Sequence, residues 1–424
     1  MTETNRYHQQ ADRWIGCALE KLSDPASDLF YWGGHTSTDL LTDKPVLGNH
    51  QMKCVYPHYT YLHGVDTNSA NQFIKAFWHT KFAGGPLPIV ENSARSFVNT
   101  GSHLILSGVM LHALDGDETP LCVGPSTCYH ATTIFGILRQ GWLDTSLTIA
   151  NPVGGHASFK PPFDQHEDLN KATVVTNGVI RIRYGRATVT CLNAAEVLAE
   201  KKAKPFHDLV TADLRALAEY CYNWDDHCFY PAINDGTRLY PENTNEGTGY
   251  CSPAKLRKVP ADGLMFLSYA RAFKVTGIEF FRQMAFYLAE GMGWGNLQSA
   301  VDFESTTSPQ SNEDWANAWQ NDVRALFGLL DLYTAIEEKV LLQSATSLGR
   351  HLQREYQVNG LVVSGNRREQ TNIDSALPLA LLHLERANQE NCVDLPAFYP
   401  NNTYFDPKVV IHRQANSKKT KRRS

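Results

Sequence analysis

Residues 262–292 hold two apolar helical runs separated only by Val275-Thr276-Gly277. The first, LMFLSYARAFKV, repeats its apolar side chains at three- and four-residue spacing, and the glycine after it can take the left-handed backbone that stops a helix. A second helix follows at once. Two helices joined this tightly must lie antiparallel, and such a hairpin has more apolar surface than it can cover alone. Residues 99–114 repeat the pattern: Leu104, Ile105, Gly108, Val109, Leu111 and His112 share one broad face, and Leu114-Asp115-Gly116-Asp117-Glu118 closes the run with a turn. The same spacing predicts helices over 10–22, with Trp14, Ala18, Leu19 and Leu22 on one side, and over 192–218, 321–342, 345–356 and 374–390. Only 179–189, VIRIRYGRATV, alternates as a strand does. Stretches 229–257 and 298–315 read as polar loops, and 124–160 has little periodicity. These units form no exact sequence repeat.

Bulk properties remove some function classes. The chain has 424 residues, 42% of them hydrophobic and 20% charged, as in an ordinary globular protein. A net charge of −5 argues against a general nucleic-acid binder; a polyanionic ligand would need a locally basic cleft. No apolar run reaches membrane-spanning length. The opening MTETNRYHQQADRW is polar, and the nine cysteines are scattered without a C-x-x-C pair. Both features predict a cytoplasmic protein with reduced thiols. Residues 411–424 form a basic tail, expected to be disordered.

The chemistry concentrates in 31–78. Gly33-Gly34 places His35 after a flexible pair, and His50, Gln51 and Lys53 follow in GNHQMK. Tyr56, His58, Tyr59 and Tyr61 form an aromatic and imidazole cluster, and Phe73, Ile74, Phe77 and Trp78 recur at the spacing of a buried helix face. Polar and aromatic groups on a loop beside a helical scaffold suit a carbohydrate site, where rings stack on sugar faces and charges hold acidic groups.

The series WGGH, H-x-x-K, YPHYTYL and FIKAFW resembles polysaccharide lyase family 2, the metal-dependent pectate lyases. The resemblance resumes at 97–121, 220–239, 264–277, 288–297 and 374–387. It implies a mainly α fold, an (α/α) toroid or barrel of helical hairpins with minor β-strand excursions, occupying 1–410 as a single domain. It also implies cleavage of polygalacturonate, an acidic polysaccharide, by β-elimination. Family members generally carry more sequence ahead of WGGH, so the chain reads as a shortened version or an incomplete gene model. In the family a manganese-like divalent transition metal, held by two histidines and a glutamate, draws charge from the uronate carboxylate, and an arginine removes the neighbouring proton.

Carried over position by position, the first histidine matches His35. The glutamate position falls on Gln51, a weaker ligand, and His50 beside it is a possible substitute. The family's Arg-His pair after FIKAFW has no counterpart: the chain runs from His79-Thr80-Lys81 into FAGGPLP. Either Arg95 takes the arginine's place as the base, or the loop is deleted and Arg95 opens the next helix. An arginine's high intrinsic pKa makes it a base only with strong local help. Lys53, Tyr56, Tyr59, Arg238 and Arg368 are candidate substrate contacts, with Asp235 and Arg367 beside the last two. The tyrosines read first as core or helix-packing residues, and Arg238 first as a turn residue; for Arg367 and Arg368 the other reading is surface charge. His79 and His103 read as structural, and Asp225-Asp226-His227 as a turn after a helix. The altered site leaves three functions open: an active lyase, a relative that binds acidic oligosaccharides without turnover, and another toroidal sugar enzyme such as an epimerase or unsaturated-uronyl hydrolase. A hydrolase would want paired carboxylic acids, which do not stand out.

Overall fold

The computed structural model describes residues 3–21, 28, 37–39, 41–42, 44–46, 59–82, 102–116, 174–175, 177, 180, 185–233, 237–245, 252–303, 322–364, 367–371, 375–389 and 395–400. Its helices are α1 (Glu3–Lys21), α2 (Tyr59–Val65), α3 (Thr67–Phe82), α4 (Ser102–Asp115), α5 (Gly185–Glu196) and α6 (Glu200–Ala216). Then come α7 (Gly263–Thr276), α8 (Glu279–Gly291), α9 (Val323–Ile336), α10 (Lys339–Tyr356) and α11 (Leu377–Gln389). The strands are short and pair antiparallel: β1 (Ser37–Asp39) with β2 (Lys44–Val46), and β3 (Val174–Val175) with β6 (Ala232–Ile233). β5 (Cys228–Phe229) lies between β4 (Tyr222–Asn223) and β7 (Val259–Pro260). β9 (Leu361–Ser364) lies between β8 (Gln357–Val358) and β10 (Arg367–Thr371). The fold is mainly α, as the periodicity predicts.

Two layers of helices account for the burial pattern. α5, α7 and α9 run parallel in an inner row, with α4 against α5 and α11 against α9. α6, α8 and α10 each return antiparallel on the outside. Inner helices are covered on every side, so residues 185–195, 263–273 and 325–332 are buried without a break. Outer helices bury one stripe, such as Phe281, Met284, Ala285, Leu288 and Ala289 of α8. Small residues let the inner row close up. A Cβ on Gly263 would stand 2.6 Å from Asp322 Cγ, and one on Gly328 2.6 Å from the Phe266 ring. The larger helix contacts among the described residues make an open series; they do not draw a closed ring.

The hairpins α7–α8 and α9–α10 repeat at a spacing of 60 residues, the separation of Arg271 from Asp331. Asp262 caps α7 by accepting from the Leu264 and Met265 amides, and Asp322 caps α9 by accepting from the Arg324 amide. Gly277 (φ 66) and Glu337 (φ 57) end the two helices in the left-handed region, each donating its amide 2.7 Å to a carbonyl four residues back. Connections from inner to outer helices are therefore tight. Those from outer back to inner are long: 217–262, 292–322 and 357–376. Two of them lead into the N-termini of α7 and α9.

Three local readings change. The strand expected at 179–189 gives way to α5 from Gly185, because Thr188, Val189 and Thr190 are all buried inside the inner row and no alternation of faces exists there. The helix break expected after 342 falls at Glu337-Glu338, between α9 and α10. Trp14 is 69% exposed, while Leu19 is buried and Ile15 packs on the core, so the inward stripe of α1 lies one position round from the one expected. Phe73, Ile74, Val109 and Leu111 are buried as expected. The tail 411–424 lies outside the described residues.

Candidate active-site face

The described parts of the long connections adjoin the ends where the inner helices begin, and backbone amides and helix dipoles there favour negative charge. Asp262 and Asp322 are buried at this end. The Arg324 guanidinium grips both oxygens of Asp322 at 2.7 Å and stands 3.6 Å from Asp262 Oδ2. Asp322 Oδ2 also accepts from the Gly263 amide at 3.1 Å, tying α9 to the start of α7. Burial pushes the Tyr356 hydroxyl up to about 12, and the nearby Asp322 charge adds to the effect. These carboxylates are fully engaged in capping, so they anchor the face.

The 217–262 connection builds the most detailed part of it. α6 runs into a wider turn at Leu217–Cys221, and β4 and β5 then form a hairpin closed by 224–227. Asp226 accepts from the Cys228 amide, the Tyr230 hydroxyl (2.6 Å) and Lys258 Nζ (2.8 Å). Partial burial raises its carboxyl, but the bonds from Lys258 and Tyr230 outweigh this and hold it below the ordinary carboxylate value. His227 takes a left-handed backbone (φ 52), lies 3.1 Å by Nδ1 from the buried Tyr222 hydroxyl, and its Cβ sits where a side chain on Gly291 would go. Asp225-Asp226-His227 is thus a structural turn.

Of the predicted site residues, His35, His50, Gln51, Lys53, Tyr56 and Arg95 lie outside the described residues, as does Asp235. Tyr59 begins α2, and only its backbone is described. Tyr61 packs helices: its hydroxyl donates 2.5 Å to Asp12 of α1, and its ring stacks on His8. Arg238 sits under the hairpin, donating to the Tyr220 and Tyr222 carbonyls at 2.9 and 2.6 Å. Arg367 and Arg368 begin β10, and only their backbone is described. His79 and His103 lie in α3 and α4, with side chains outside the described set. Among the described residues no group of three histidine, cysteine, aspartate or glutamate side chains could hold a metal. No described helix is long and apolar enough to cross a membrane.

Sequence reasoning missed the charged row buried across the inner helices. Arg271 of α7 donates to Asp331 of α9 at 2.6 Å and to Asn193 of α5, with Glu196 and Lys274 at its margin. Asn193 in turn donates 2.6 Å to the Phe398 carbonyl, so segment 395–400 covers the row. Its only sequence signal was an arginine and an aspartate inside strongly apolar helices.

Comparison with known proteins bears on most of the chain. A family model described as periplasmic pectate lyase matches residues 1–85 and 155–408, passing over 86–154. Arg95 and the 97–121 segment fall in the unmatched stretch. A pectate disaccharide-lyase from Dickeya dadantii (strain 3937) is 34% identical over 86 residues, which are 19% of this chain and 16% of that relative. The periplasmic family overturns the cytoplasmic expectation. Dispersed cysteines record where thiols fall in a sequence, and a polar opening stretch records local composition; neither measures a compartment. With most of its length matched in order on both sides of 86–154, the chain belongs to the periplasmic pectate lyase family.

Proposed function

We propose that this protein cleaves polygalacturonate or its oligomers by β-elimination. The observation that carries the reading is the family match on both sides of 86–154, which includes the 31–58 stretch with His35 and His50. In the reaction a base takes the proton beside the uronate carboxylate, a double bond forms within the ring, the glycosidic bond breaks, and the leaving oxygen gains a proton. A bound divalent transition metal would supply charge withdrawal at the carboxylate. His35, His50 and Gln51 would hold it as two imidazoles and an amide oxygen. That donor set suits a manganese-like ion but carries no negative charge, so it holds the ion less firmly than one with a carboxylate. Lys53 would pair with a uronate carboxylate, and the flanking tyrosines would offer ring faces to the sugar.

Gln51 at the glutamate position, and the missing Arg-His pair between 79 and 95, favour a second reading: a relative that binds acidic oligosaccharides without turnover. Incubation with polygalacturonate, with and without added manganese, separates the two through ultraviolet absorbance of the unsaturated product. The lyase reading expects a metal-dependent rise, and a loss of roughly 10²–10⁴-fold in His35→Ala, the scale of removing a positioned catalytic group. Intact binding with no rise under any metal supports the binder. No rise and no binding removes both.

A further inference from the structure

Part of the 217–262 connection is basic and aromatic in a chain that is acidic as a whole. Tyr240 is 43% exposed and meets the Tyr230 ring edge-on, with centroids 5.5 Å apart. The Arg238 guanidinium lies 5.3 Å from the centre of the Tyr230 ring, and Lys258 Nζ 5.9 Å from it. The short turn Pro241–Asn243, directly after Tyr240, packs on the turn Pro253–Lys255. This brings exposed Lys255 to the same surface, with exposed Arg257 just beyond it.

Acidic groups on this surface do not cancel its charge. Asp226 takes up Lys258, Glu242 stands on the first turn and exposed Asp225 neighbours Asp226, three carboxylates against Arg238, Lys255, Arg257 and Lys258. Arg238, Lys255 and Arg257 make no ion pair with a described carboxylate. Arg238 is also fixed in place, since two carbonyl oxygens hold its guanidinium and leave its full charge beside the rings. A fixed cation, exposed cations around it and tyrosine faces between them match a chain of sugar rings that carries a carboxylate on each unit. Nucleic acid is less well matched: a surplus of a few cations on a chain of net charge −5 gives little of the phosphate attraction that such binding needs.

We propose that Tyr230, Arg238, Tyr240, Lys255, Arg257 and Lys258 form an accessory binding surface for the anionic saccharide chain, engaging galacturonate units beyond those that react. The proposal rests on the polygalacturonate reading above. It assigns this surface to affinity for long chains and leaves the reacting bond to residues elsewhere.

The test uses the whole protein, a Lys255→Ala/Arg257→Ala double variant, and Tyr240→Ala. All three substitutions are at exposed positions, and circular dichroism checks that the fold is kept. A charge-reversed Lys255→Glu/Arg257→Glu variant is a second probe of the same surface. Affinity for polygalacturonate is measured by calorimetry at low and physiological salt, and kcat and KM are measured separately on the polymer and on trigalacturonate. The expected result is polymer binding about tenfold weaker in each alanine variant, weaker still after charge reversal, and a smaller salt dependence in the double variant. KM for the polymer rises, while kcat and the trimer kinetics stay at wild-type values. Polymer binding unchanged in every variant overturns the surface but leaves the lyase reading standing. A fall in trimer turnover overturns the accessory role. Displacement of the saccharide by a single-stranded oligonucleotide at equal charge concentration overturns the choice of ligand. A wild-type protein that does not bind polygalacturonate removes the reading and the proposal together.

Discussion

Arg271 shows what a single buried charge commits the molecule to. Its side chain is 6% exposed and that of Asp331 8%, so each ion has lost most of its water and depends on the other. Breaking such a pair from one side strands a charge and costs about 3–5 kcal/mol, whereas replacing both ions by apolar groups of similar size is often neutral. Arg271→Met is therefore expected to lower unfolding free energy by about 3–5 kcal/mol in urea titrations, and Arg271→Met/Asp331→Leu by much less. An equal loss in the double variant would mean that Asn193, Glu196 and Lys274 need the guanidinium itself. This pairing was not legible beforehand. A helical pattern ranks Arg271 as a polar interruption of an apolar face, and only packing against α5 and α9 reveals that the interruption is paired. Arg238 carries a different lesson. Its sequence context made it a candidate substrate contact, but that context did not reveal that the Tyr220 and Tyr222 carbonyls fix its guanidinium, which is visible only once the chain has turned.

At the scale of elements, glycine decided which turn could be read. Val275-Thr276-Gly277 announces the end of α7, because glycine enters the left-handed region without strain. Ala335-Ile336-Glu337 does the same work 60 residues later with no such signal, and so the sequence pattern runs past the break. The equivalence gives a paired expectation. Glu337→Gly removes the strain of a side chain at φ 57, less the extra freedom glycine has when unfolded, and should stabilise by about 0.5–1 kcal/mol. Gly277→Ala meets nothing within 4 Å of its new Cβ, so its cost is backbone strain alone, about 1 kcal/mol of destabilisation. Thermal melts should move in opposite directions for the two variants. Movement in the same direction would show that the turns are not equivalent despite their matching hydrogen bonds. β-Branched residues misled in the other direction. VIRIRYGRATV carries the composition of a strand, but in the inner row its second half is helix, since there a residue is buried whichever way it points.

For the molecule as a whole, the fold class was legible because amphipathic and fully apolar helices leave strong patterns, and the order of hairpins follows from them. The site was not, because its chemistry depends on which side chains 31–58 and the long connections bring together, and local pattern does not encode that. The unmatched stretch 86–154 sets the two kinds of information against each other. It departs from the family, yet it contains α4, which lies against both α3 and α5. Leu106, Val109, Met110 and Leu111 of α4 are all buried. Each such side chain contributes about 1.5–3 kcal/mol on burial. Together they approach the roughly 5–15 kcal/mol net stability of a typical protein. The core therefore rests in part on a helix that lies outside the family match. Replacing 102–116 by a flexible linker of equal length should expose the facing sides of α3 and α5, with loss of near-ultraviolet circular dichroism, binding of a hydrophobic dye, and elution as aggregate. If that variant stays monomeric with a cooperative melt close to wild type, α4 is an attachment to the core, and the inner row would begin at α5.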